Sequence, residues 1–107
     1  MSERAAAKNA PGATADATPI VRELEICNKK GLHARASAKF VQLVEKYDAE
    51  VKVRRGHETV GGTSIMGLMM LGAATGTTIT VEATGQEATA AIEAVDKLVS
   101  GGFGEED

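Results

Sequence analysis

Thr77-Thr78-Ile79-Thr80-Val81-Glu82-Ala83-Thr84 decides the fold. Thr77, Ile79, Val81 and Ala83 alternate with Thr78, Thr80, Glu82 and Thr84, the two-residue period of a strand with one face buried and the other wet. β-branched residues dominate both sets, which suits a pleated, half-buried surface. Nowhere does the chain show the long apolar run of a strand buried on both faces, so a sheet covered on one side only is predicted. Helices must supply the cover.

Working outward, Ile20, Leu24 and Ile26 fall on one side of an earlier strand, and Val51 and Val53, with Arg55, begin another. Arg55-Gly56-His57 reads as a tight turn into Glu58-Thr59-Val60, because Gly56 supplies the positive φ of a hairpin connection. Gly61-Gly62 ends that strand. Ala36, Phe40, Leu43, Val44 and Tyr47 lie on one helical face, as do Ala88, Ala91, Ile92, Val95, Leu98 and Val99. A Glu93–Lys97 pair is expected on the outer surface of the last helix, with Gly101 as its C′ residue. Ser64 to Leu71 makes a short helix closed by Gly72, with Ile65, Leu68 and Leu71 expected in the core. The predicted order is β-α-β-β-α-β-α, an α+β domain.

The chain has 107 residues, enough for one domain. Seven of the first nineteen residues are Ala, and apart from Met1 no larger apolar side chain occurs there. Residues 1–19 are therefore expected to be a flexible Ala-rich tail, with at most a marginal helix around Ala5–Ala7. The domain is placed at 20–101, and 102–107 is read as an acidic fringe. Twelve Lys and Arg against fifteen Asp and Glu leave a net charge of −3. That balance and the poverty in aromatics oppose nucleic acid as a partner. One cysteine, Cys27, points to a reducing cytoplasm, and no run suits a signal peptide or membrane insertion.

Gly31-Leu32-His33-Ala34-Arg35-Ala36 lies between the first strand and the first helix. A helix begins with unpaired backbone N–H groups and a partial positive charge, which together form an anion site. His33 stands at the N-cap position, where an imidazole nitrogen can accept a phosphoryl group. Arg35, in the first turn, offers a guanidinium whose fork suits phosphate oxygens. Taken alone, this short motif is also compatible with a polar histidine at a helix entrance.

Asn28-Lys29-Lys30-Gly31-Leu32-His33-Ala34-Arg35-Ala36, followed in register by Thr63-Ser64-Ile65-Met66-Gly67-Leu68-Met69-Met70-Leu71-Gly72, resembles the HPr family of histidine-containing phosphocarriers of the bacterial phosphoenolpyruvate-dependent phosphotransferase system. The resemblance spans Ile20 to Ser100. It implies an open-faced sandwich, a four-stranded antiparallel sheet with three helices on one face. It also implies that His33 takes a phosphoryl group on Nδ1 from enzyme I and passes it to a histidine of an EIIA domain, with Arg35 stabilising the group. Many members have proline where this chain has Ala36, and Lys30 replaces a residue that is often Leu or Asn. Neither departure touches His33. The motifs serve the sugar-import and nitrogen-related branches alike.

Ser64 is a good N-cap for the short helix, worth about 1 kcal/mol. In one branch of the family the equivalent serine is phosphorylated by an HPr kinase/phosphorylase, which makes Ser64 a regulatory candidate. Met66, Met69 and Met70, with Leu32, Ala34, Ala38 and Lys39, are expected to form a docking patch beside His33, because flexible thioethers adapt to several partners. Lys29, Lys30 and Arg35 would ring it with positive charge. His57 reads as a solvated hairpin residue and Cys27 as an inert strand cysteine. No third ligand joins His33 and His57, so no metal and no cofactor are expected. The favoured reading is a monomeric carrier, not an enzyme with turnover of its own. The alternative is a regulatory module whose docking to a kinase or regulator is the main role. A nucleic-acid binder using Lys29, Lys30, Arg54 and Arg55 is opposed by the charge balance.

Overall fold

A computed structural model of the chain describes residues 18–105. The expected tail, up to residue 17, with its short helix around Ala5–Ala7, lies outside the described residues, as do Glu106 and Asp107. The elements are β1 (Ile20–Glu25), α1 (Ala34–Val44), β2 (Glu50–Arg55), β3 (Glu58–Gly61), α2 (Ile65–Met70), β4 (Thr78–Thr84), α3 (Ala88–Ser100) and a 3-10 turn (Gly102–Gly104). The strands form one antiparallel sheet in the order β1-β4-β2-β3. This is the order of elements predicted from the alternating periods, and the antiparallel open-faced sandwich implied by the resemblance.

Register explains the alternation. On the covered face Leu24 lies opposite Ile79, and Ala83 sits between Ile20 and Val51. Val53 stands between Val81 and Val60. Ile79, Val81, Ala83 and Val53 are fully buried against Phe40 and Val44 of α1, Leu68 of α2 and Ile92, Val95 and Val99 of α3. The hairpin turn has Gly56 at φ +61, and Arg55 pairs with Glu58 across it. Arg55 itself turns out of the sheet and donates from Nη1 to the carbonyl of Leu71 at 3.1 Å, satisfying an end group of α2. Among the described residues no helix is long and apolar enough to cross a membrane.

Four local expectations change. Ile65 is 40% exposed rather than in the core, because α2 spans only six residues and its inward stripe is met by Leu68 alone, with Leu71 buried at the C-cap. Glu93 does not serve Lys97: with Asp96 it receives Arg22, at 3.3 and 2.9 Å. Arg22 sits on the inner side of an edge strand, and its long stem lets the charge reach α3. Gly101 is the C-cap with φ −85, and the positive φ falls on Gly102. Finally, of the segment read as a fringe, residues 102–105 fold back: the Phe103 ring is buried, 1% exposed, while residues 106 and 107 lie outside the described residues.

Candidate functional site

The loop between β1 and α1 is built on Gly31. Its φ is +65, and a Cβ there would lie 2.3 Å from the carbonyl oxygen of Ala73. Without a side chain the loop closes, and the Leu32 N–H donates to that same carbonyl at 2.9 Å. Buried Asn28 braces it from inside, donating from Nδ2 to the Gly31 carbonyl at 2.9 Å. The chain then enters α1 with His33 as N-cap, φ −76 and ψ −176. The His33 carbonyl accepts the Ser37 N–H at 2.9 Å, while its side chain makes no capping bond. The imidazole is thus left for other work, with 27% of it exposed.

Lys30, His33, Ala34, Arg35, Lys39, Gly104 and Glu105 line an open depression of about 700 Å³. A smaller one, about 210 Å³, continues from His33 past Leu32 to the loop Gly72-Ala73-Ala74 that follows α2. Positive charge and the first-turn N–H groups of α1 therefore surround an opening in which an anion is favoured. One acid enters this setting. Glu105 Oε2 lies 2.5 Å from His33 Nε2, and its Oε1 accepts from Asn28 Nδ2 at 3.1 Å. These two hydrogen bonds, and more weakly the charges of His33 and Lys30, hold the Glu105 carboxyl below the usual carboxylate range. The strap that delivers it is pinned by Lys39, whose Nζ donates to the Phe103 carbonyl at 2.6 Å.

The structure brings His33, Arg35, Ala34 and Lys39 together, with Arg35 and Ala34 exposed and Lys39 half-buried. Leu32 departs from its expected place on the docking patch: it is 4% exposed and packs in the core, because the Gly31 turn directs the next residue inward. Ala38 is half-buried on α1. Met66, Met69 and Met70 are exposed on α2, at 67%, 39% and 74%, and do not line the depression. Nor does Ser64, the N-cap of α2, whose Oγ accepts the Gly67 N–H at 3.0 Å. His57 is exposed in the hairpin. Cys27 is exposed too, lying beyond β1 rather than within it, and its thiol donates to the Val99 carbonyl at 3.3 Å. Asn28 and Glu105 are the participants that the sequence reading missed. Asn28 stands inside the motif with no period to mark its burial, and Glu105 lies 72 positions from His33.

Residues 20–100 match the family described as "PTS HPr component phosphorylation site". The chain is 49% identical over 86 residues to the phosphocarrier protein HPr of Neisseria meningitidis, covering 80% of this chain and 97% of that one. It is 42% identical over 88 residues to the phosphocarrier protein NPr of Shewanella violacea, covering 82% and 97%. The solved structure of HPr-C-His from Thermoanaerobacter tengcongensis superposes with a TM-score of 0.78 at 39% identity, covering 82% of this chain and 99% of that one.

Proposed function

The chain belongs to the PTS HPr family of phosphocarriers, and from that premise we propose that His33 is its acceptor, charged by enzyme I and discharged to a histidine of an EIIA domain. One observation carries the assignment: a partly exposed imidazole at the N-terminus of α1, inside a depression lined by Lys30, Arg35 and Lys39. The Nδ1 lone pair attacks phosphorus, the donor's N–P bond breaks, and its electron pair returns to the donor nitrogen. The phosphoryl oxygens then face the guanidinium of Arg35 and the open N–H groups of the first helical turn. The helix terminus contributes only about 0.3–1 kcal/mol at such an exposed site. Weak holding suits a carrier, which must release what it accepts, and on this reading the chain has no turnover of its own.

Ala34, Met66, Met69 and Met70, all exposed, with half-buried Ala38 and Lys39, form the surface we assign to partner docking. Ser64 is the regulatory candidate. It is exposed at the start of α2, and a phosphate at a helix N-terminus is electrostatically tolerated. Relatives named HPr and NPr are both close in identity, so the reading is stated for transfer between histidines in either branch.

Incubation with phosphoenolpyruvate and enzyme I tests it. A single acid-labile, base-stable phosphate is expected, absent in His33→Ala. Arg35→Ala is expected to keep the label but acquire it roughly tenfold more slowly, the worth of one hydrogen bond to a charged group. No label on the unmodified chain, or label that persists in His33→Ala, overturns the assignment.

A further inference from the structure

We propose that Glu105 is a positioning residue for His33: its carboxylate, carried by the 101–104 strap, keeps the imidazole proton on Nε2 and so presents the Nδ1 lone pair to the incoming phosphorus. The inference rests on the carrier reading, and it concerns a residue outside the 20–100 segment that the family description matches.

The contact is built from several sides. Glu105 Oε2 stands 2.5 Å from His33 Nε2, and Oε1 is engaged by Asn28 Nδ2 at 3.1 Å. Asn28 is 2% exposed, and its other Nδ2 bond runs to the Gly31 carbonyl, so the carboxylate is referenced to the site loop itself. The Glu105 side chain is only 14% exposed. Two residues earlier Phe103 anchors the strap, with its ring buried and its carbonyl on Lys39 Nζ. Phe103 does this at φ +58, a conformation that costs a residue with a Cβ about 1–2 kcal/mol. Burial of the ring offsets that cost and anchors the strap.

The chemistry follows from what a carboxylate can do. Ionised, it only accepts hydrogen bonds, so the proton between Oε2 and Nε2 belongs to the imidazole. A neutral ring with its proton on Nε2 has its lone pair on Nδ1. When Nδ1 forms the bond to phosphorus and the donor's N–P bond breaks, the acceptor ring gains positive charge while its proton stays on Nε2. The carboxylate faces that charge where it develops, and it does so from the edge of the ring opposite the phosphoryl group. A carboxylate fulfils the same tautomer-fixing duty toward the histidine of serine proteases.

The test compares the full-length chain with Glu105→Gln and Glu105→Asp. Nitrogen-15 spectra of the unphosphorylated imidazole report the tautomer, and phosphorylation by enzyme I and phosphoenolpyruvate reports the rate. The unmodified chain is expected to show the Nε2–H form. In Glu105→Gln the amide can donate as well as accept, so the Nδ1–H form gains and acceptance slows about tenfold. Glu105→Asp keeps the charge on a glycine-rich strap and is expected to recover most of both signals. The proposal is overturned if Glu105→Gln leaves either the tautomer or the rate unchanged, or if the Gln and Asp variants behave alike. An unmodified chain that takes up no phosphate overturns the carrier reading instead, and the tautomer comparison then still judges Glu105 by itself.

Discussion

At the scale of single residues, Gly31 and Ser64 show how little freedom the two motifs have. A side chain at Gly31 meets the Ala73 carbonyl at 2.3 Å and must also adopt φ +65. Gly31→Ala is therefore expected to destabilise the domain by about 2 kcal/mol, read as a lower denaturant midpoint with an unchanged slope. The displaced loop would carry His33 with it, so phosphoryl acceptance should fall further than the folded fraction does. Ser64 is a milder case. Its Oγ takes one orphan N–H, from Gly67, and Ser64→Ala should lose about 1 kcal/mol. Ser64→Asp keeps an acceptor there and is expected to stay within a few tenths of the unmodified chain. Chemical denaturation of the three proteins checks this. An Asp variant as unstable as the Ala variant would show that capping is not what Ser64 contributes.

At the scale of elements, the strap from Gly101 to Glu105 behaves as a device separate from the helices. The Glu105 carboxyl titrates below its ordinary value of 4.5 because His33 and Asn28 donate to the charged form. A depressed folded value means that the strap's contribution is fully present above about pH 4.5 and is lost as pH falls through the lower folded value. Acidification through that lower value should thus loosen the Glu105 end of the strap, while Phe103 stays anchored. Amide exchange at Gly104 and Glu105, which bond to the carbonyls of Gly101 and Gly102, is expected to show extra opening there, and Glu105→Gln should remove the pH dependence. The strap also marks the limit of sequence reading. α1, α3 and β4 were legible because each writes its own period into consecutive residues. Glu105 pairs with a residue 72 positions away, and no local period records such a closure. Ile65 and Leu32 were misplaced for a related reason: in a six-residue helix and a tight loop, orientation is set by neighbours in space rather than by spacing in the chain.

At the scale of the whole molecule, one sheet face packs against the helices and the other faces outward. Ile79, Val81 and Ala83 meet the helices, while Thr78 of the same central strand is exposed on the far side. The site sits at the edge of this arrangement, at the start of α1 and on the strap after α3, and it meets the core through Leu32 and Phe103, so substitutions in the core away from those two are expected to leave its chemistry unchanged. Phe40 tests that separation. Fully buried at the middle of α1, it packs in the same core as Val53 and Val81 of the sheet and Leu68 of α2. Phe40→Ala should cost about 3–5 kcal/mol, a large part of the 5–15 kcal/mol that holds a small domain together. Phe40→Leu keeps most of the volume and should cost about 1 kcal/mol, lowering Tm by roughly 4–8 °C. Thr78→Ser removes one methyl from the wet face and should stay within about 0.5 kcal/mol. Thermal unfolding ranks the three, and phosphorylation of His33 measured well below each Tm should be equal in Phe40→Leu, Thr78→Ser and the unmodified chain. A Phe40→Leu protein that is fully folded yet slow to accept phosphate would mean that the core reaches the site through α1, and that the separation of scaffold from chemistry is incomplete.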